Sequence, residues 1–185
     1  MPIVEIHILE GYGGAEKNRL GKAVTDAVRM VVPAVQEAIT VITHEMPHDN
    51  YLRGGVARQG APALPDAVEV VRAFLGAMEA RDLTSAETFL GAGFAMQFPG
   101  ADPMNTLPQL VDWAKPRYRY VKKTYERFDQ AMSDAGPVVY CYGTLHGEWP
   151  DGTPFEGIRF IDRFQFSEGL IVRQDVWNDI AEVRP

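Results

Sequence analysis

The chain is predicted to be an α+β protein in two parts, and three observations predict it. The first ~60 residues read strand, helix, strand. The stretch Gln59-Gly-Ala-Pro-Ala-Leu-Pro65 then has the composition of a linker. Beyond it, helical patterns give way to four long runs of β character, and helices followed by consecutive strands make an α+β layout. The expected division is 1–58 for a β-α-β domain, 59–65 for the linker and 66–185 for the second domain.

Ile3 to Leu9 alternates, with Val4, Ile6 and Ile8 on one face and Glu5 and His7 on the other, as in a half-buried strand. Gly11, Gly13 and Gly14 interrupt it. Leu20, Val24, Ala27, Val28 and Val31 then recur at helical spacing until Pro33. A second strand is expected from about Ala38 to Thr43, with Gly54-Gly55 as a turn after it. One helix joining two strands makes a crossover, which leaves the strands parallel. A single helix covers only one face of such a small sheet, so a homo-oligomer is expected to cover the rest.

In the second part, Val68, Val71, Phe74, Leu75 and Met78 describe an amphipathic helix. Thr84-Ser-Ala-Glu87 has the form of a capping box and is expected to open a short second helix. Thr106-Leu-Pro-Gln109 signals another. Phe94 to Phe98 reads as a short strand ended by Pro99-Gly100. Tyr120–Phe128, Val138–Trp149, Phe155–Phe166 and Leu170–Trp177 read as strands.

Composition narrows the functional classes. The net charge is −7 and the only basic run is Lys122-Lys123, which argues against a nucleic-acid partner. No segment reaches the ~18 apolar residues of a membrane span. The opening Met-Pro-Ile-Val-Glu-Ile-His lacks the basic and apolar regions of a secretion signal, so a cytoplasmic protein is expected. The single Cys141 lies in a Val-Tyr-Cys-Tyr run and reads as a small buried hydrophobe in a reducing compartment. His44-Glu-Met-Pro-His48 spells H-E-x-x-H, but that zinc motif needs a helix, and Pro47 would break one. Gly11-Tyr-Gly-Gly lacks the third glycine of a dinucleotide fingerprint. Neither a metal nor a cofactor is expected.

The opening Pro-Ile-Val-Glu-Ile-His-Ile-Leu-Glu-Gly, with His-Glu-Met near the second strand and Arg-Gly-Gly at the end, resembles the 4-oxalocrotonate tautomerase family over roughly residues 2 to 55. The resemblance implies that the initiator methionine is removed and that Pro2 is the catalytic base. The chemistry suits it: a terminal proline carries a secondary amine, and an α-amino group titrates near ~8 before an apolar pocket or nearby cations lower it. The two arginine positions with which family members hold a diacid fall here on Tyr12 and Thr40, while Tyr51 fills an aromatic position and Arg53 supplies one cation. The base is thus expected to persist and diacid recognition to be lost.

The last two strands frame a second candidate site. With Glu168-Gly169 as a two-residue turn, Ser167 faces Leu170, Phe164 faces Arg173 and Asp162 lies opposite Asp175. One face then carries Phe160, Asp162, Phe164, Phe166, Ile171, Arg173, Asp175 and Trp177, and its aromatic character points it inward. Two carboxylates ~4.5–5.5 Å apart at Cβ in an apolar pocket would raise one pKa and make a proton shuttle. The alternative is that Arg173 neutralises both as a structural ion pair. His146, Tyr140 and Tyr142 are further candidates to line this pocket.

Phe98-Pro-Gly, Arg159-Phe-Ile-Asp-Arg-Phe-Gln-Phe, Ser-Glu-Gly and Leu-Ile-Val-Arg-Gln-Asp-Val-Trp-Asn are similar to SnoaL-like proteins of the nuclear-transport-factor-2 superfamily, over roughly residues 66 to 180. That resemblance implies a cone-shaped α+β barrel with a curved antiparallel sheet. It places Asp175 at the acid/base aspartate of family enzymes and Asp162 at a second acidic position of the epoxide hydrolases. Phe160 stands where those hydrolases have arginine. The expected function is a cofactor-independent isomerase, tautomerase or cyclase-type enzyme moving protons on a small oxo or enol substrate. The alternative is a non-catalytic protein that binds a small hydrophobic ligand and uses the first unit for oligomerisation.

Overall fold

The computed structural model describes residues 1–183, and the chain divides into two compact units, residues 1–63 and residue 64 onward. In the first unit, β1 (Ile3–Leu9) pairs in parallel with β2 (Thr40–Met46), in register from Ile3 opposite Thr40 to Leu9 opposite Met46. The connecting helix is α1 (Gly14–Arg29). The second strand starts and ends later than its sequence suggests. Gln36–Ala38 first forms a 3-10 turn, and Pro47, which has no N–H to give the ladder, follows its last residue. Val4, Ile6 and Ile8 are half-buried, whereas Ile3, Glu5 and His7 alternate with them and are exposed.

Short strands β3 (Leu52–Arg53) and β4 (Val56–Ala57) close a hairpin around Gly54 and Gly55. Both glycines have positive φ, 61° and 76°, which a tight two-residue hairpin turn requires. None of residues 1–63 is fully buried. The unit has too little chain to enclose a core of its own.

The second unit holds α2 (Ala67–Glu79), α3 (Leu83–Glu87), β5 (Leu90–Gln97), α4 (Leu107–Ala114), β6 (Tyr120–Ser133), β7 (Gly136–Glu148), β8 (Pro154–Ser167) and β9 (Leu170–Asn178). Their curved five-stranded sheet runs β5-β9-β8-β7-β6. The four later strands are antiparallel, as expected, but β5 joins β9 in parallel, so the sheet is mixed. No hairpin links β5 to β9, so turn geometry does not fix its direction.

The Asp66 carboxylate starts α2 by accepting the N–H groups of Val68 and Glu69 at 2.9 and 3.4 Å. Val71, Phe74 and Leu75 then bury one stripe, with the Phe74 ring edge-on to Phe164 at 6.0 Å. The next cap differs from expectation. Asp82, not Thr84, caps α3, accepting the Ser85 N–H at 3.0 Å. The box at Thr106 does form, with Thr106 accepting the Gln109 N–H and Gln109 accepting the Thr106 N–H.

Candidate functional site

In the first unit, Pro2 stands half-buried at the entry to β1, and its carbonyl accepts the Thr40 N–H at 3.0 Å. The parallel register therefore brings Pro2 and Thr40 together. Tyr51 and Arg53 lie elsewhere: with His7, Leu9, Met46 and Arg58 they line an open cleft at the far end of the strands. A seven-residue strand rises ~3.3 Å per residue, so this cleft is roughly 20 Å from Pro2 within one chain. The Tyr12 hydroxyl is engaged, donating to the Ala61 carbonyl at 2.7 Å. Beside the cleft, Glu10 accepts the His48 backbone N–H at 3.2 Å and lies 3.1 Å from its Nδ1. These bonds lower the Glu10 pKa, and the side-chain bond to Glu10, with the charge of Asp49, raises that of His48. His48 is thus tied to carboxylates and has left the strand that carries His44.

The second unit contains a cavity of about 120 Å³ with a largely aromatic wall, including Phe98, Trp113, Tyr118, Trp149 and Phe160. Two cations reach it, Lys123 from β6 and Arg117 after α4. Arg117 lies over the Trp113 ring at 4.1 Å, and the Lys123 ammonium sits 4.5 Å from the centre of the Phe160 ring. The same ammonium is bonded to Asp162, which is fully buried. Gln174 Nε2 donates to the same carboxylate oxygen at 3.2 Å, while Asp162 Oδ1 and Gln174 Oε1 are buried without a protein hydrogen bond. Burial, reinforced by the Asp162 charge, pushes the neighbouring Cys141 thiol up to about 12. Cys141 is therefore an inert filler. Burial also raises the Tyr118 and Tyr125 phenols.

The expected pairing of Asp162 with Asp175 does not form. Glu168 and Gly169 make the two-residue turn, with φ of 51° and 82°, and Ser167 does face Leu170. Phe166 then pairs with Ile171 but Gln165 with Arg173, so Val172 is an extra residue. This β-bulge slips everything beyond it by one position, and a slip of one sends side chains to the other face. Asp162 is opposite Val176, and Asp175 is opposite Arg163.

Asp175 consequently shares the outer face with Arg163 and Arg173, whose guanidinium groups approach it at 3.1 and 2.8 Å. Its bond and charge raise the Arg173 pKa. Trp177 is half exposed, on the outer face too. His146 alternates with the buried Leu145 and Gly147 and also faces outward, as do Tyr140 and Tyr142. Of the residues expected in the second pocket, Phe160 lines the cavity and Asp162 lies just behind it. Lys123, Gln174, Trp113 and Trp149 are what the sequence reading missed. Only the Lys123 position carried a partial signal, a lysine among the inward Val121 and Tyr125 of β6, but its partner Asp162 lies two strands away on β8.

Residues 2–58 match the family described as tautomerase enzyme. A probable tautomerase of Streptococcus pyogenes serotype M3 is 36% identical over 59 residues, which are 32% of this chain and 97% of that protein. One from Staphylococcus epidermidis is 40% identical over 58 residues, 31% of this chain and 95% of its own length. Through its first unit the chain belongs to the tautomerase family. The remainder matches solved structures of the NTF2-like type. An NTF2-like protein of unknown function from Burkholderia pseudomallei superposes with a TM-score of 0.55 at 16% identity, covering 64% of this chain and 95% of that one. TerC, co-crystallised with polyporic acid, superposes with a TM-score of 0.54 at 11% identity, covering 63% and 93%. At these identities the likeness is one of fold.

Proposed function

We propose that the chain is a cofactor-independent enzyme that moves protons on a small oxo or enol substrate, with the amine of Pro2 as the base. The observation that carries this reading is the family match, which starts at Pro2 and runs to residue 58 of the first unit. Once the preceding methionine is removed, Pro2 presents a secondary amine. In its neutral form it takes a proton from an enol oxygen or a carbon and, as the ammonium, returns it to the other end of the same three-atom enol unit while the double bond shifts. Tyr12 and Thr40 stand at the positions that would otherwise carry cations, so the preferred substrate is a monoacid enol or a neutral one. Within one chain Tyr51 and Arg53 are remote from Pro2, and a second copy is the natural source of groups across the base. This supports a homo-oligomer, as does the absence of a fully buried residue in 1–63.

The second unit supplies a binding cavity rather than a second proton shuttle. Its wall is aromatic, Arg117 supplies a cation for a negatively charged group, and Lys123 and the buried Asp162 neutralise each other. TerC, of the same fold, was co-crystallised with polyporic acid. A flat oxo acid or enolate fits both units of the reading, and the single buried Cys141 accords with a reducing cytoplasm. The test is turnover of simple enol acids such as phenylenolpyruvate, compared with a dicarboxylate enol. Faster reaction of the monoacid supports the reading, and a strong preference for the diacid contradicts it.

A further inference from the structure

We infer that the exposed face of the first unit's sheet holds a divalent transition-metal ion between Glu5, His7 and His44. The parallel register sets His7 directly opposite His44, and Glu5 lies two residues before His7 on the same strand face. The two imidazoles stack with ring centres 4.8 Å apart and 16° between planes. His44 Nε2 is 3.6 Å from Glu5 Oε2, and one donor atom from each of the three side chains lies within 4.8 Å of the others. Ligands of a tetrahedral zinc ion at ~2.0–2.1 Å stand roughly 3.3 Å apart, so the two imidazoles, free to turn on an exposed face, rotate out of their stack to bring all three donors into its shell.

Two imidazoles and one carboxylate form a borderline nitrogen and oxygen set suited to zinc or cobalt(II), and less so to calcium or magnesium. Within one chain the fourth position is open, because all three residues are exposed there. The ion would bridge β1 to β2 across a sheet of only two strands. In a unit without a fully buried side chain, such a bridge adds folding energy directly. The site is structural and takes no part in proton transfer at Pro2.

It also differs from the zinc motif spelled by the sequence. His44 is common to both, but its partner is His7 across the sheet, whereas His48 is held by Glu10 and Asp49.

The experiment titrates the metal-stripped protein with cobalt(II) and with zinc, following visible absorption and heat of binding. One ion per chain and a rise in thermal stability with zinc are expected. His7→Gln and His44→Gln should each weaken binding at least about tenfold, since even outer-shell ligand partners cost 10- to 100-fold. His48→Gln should leave it unchanged, and circular dichroism checks that each variant stays folded. Absence of saturable binding overturns the inference. So does binding that survives the double variant His7→Gln/His44→Gln, or that depends on His48 and not on His7.

Discussion

The ammonium of Lys123 on β6 reaches over β7 to the carboxylate of Asp162 on β8, and Asp162 is fully buried. A charge in that position is tolerated only with its counter-ion. Lys123→Met should destabilise the second unit by about 3–5 kcal/mol, and Asp162→Leu in the same background should recover much of the loss. Trp113, Trp149 and Trp177 all lie in this unit, so denaturation followed by tryptophan fluorescence reads it directly. A double-variant loss equal to the sum of the two single-variant losses would show that the pair is not coupled.

Asp175 behaves differently because Val172 bulges. It joins Arg163 and Arg173 on the outer face, remote in role from the cavity. Asp175→Asn should cost about 1–2 kcal/mol of stability through its weakened bonds to two guanidinium groups. Turnover and ligand binding should stay near wild type. A folded Asp175→Asn protein without activity would restore the acid/base role and contradict this assignment.

The Glu10–His48 contact gives the first unit a pH signature. The folded His48 pKa is raised above 6.5, so its contribution is complete below that value and is lost as pH climbs through the raised one. The Glu10 pKa is lowered below 4.5, so its contribution is present above that value and lost as pH falls. The contact is therefore strongest between about 4.5 and 6.5. An NMR titration should place His48 above its ordinary value, and Glu10→Gln should bring it part of the way back, with Asp49 holding the remainder. A His48 titration that ignores Glu10→Gln would refute the contact.

Assembly is the fourth expectation. Residues 1–63 leave Ile3 63% and Val31 84% exposed, a surface that a lone unit does not keep from water at no cost. Light scattering at micromolar concentration should report at least a dimer. A 20.6 kDa particle would contradict it.

Alternation over Ile3–Leu9, the crossover helix and the four long strands were legible because their periods are local properties of the chain. The Thr106–Gln109 box was legible for the same reason. The mate of Asp162 was not. Glu168-Gly169 announces the turn, but nothing in Leu170–Asp175 announces that Val172 will bulge, and one extra residue exchanges the two faces. Lys123 escaped notice because its partner is two strands away in the sheet and 39 residues away in sequence. The parallel placement of β5 rests on tertiary packing alone.

Turnover of a monoacid enol before and after blocking the chain terminus tests whether the Pro2 amine is the base. Intact mass first establishes that Met1 is absent, since an acylated or methionine-capped Pro2 is an amide with no basic lone pair. A positioned general base contributes on the order of 10²–10⁴ in rate, so blocking should lower turnover at least about 100-fold. Pro2→Ala, with its primary amine, should fall in between. Undiminished turnover in a fully blocked protein would contradict the account.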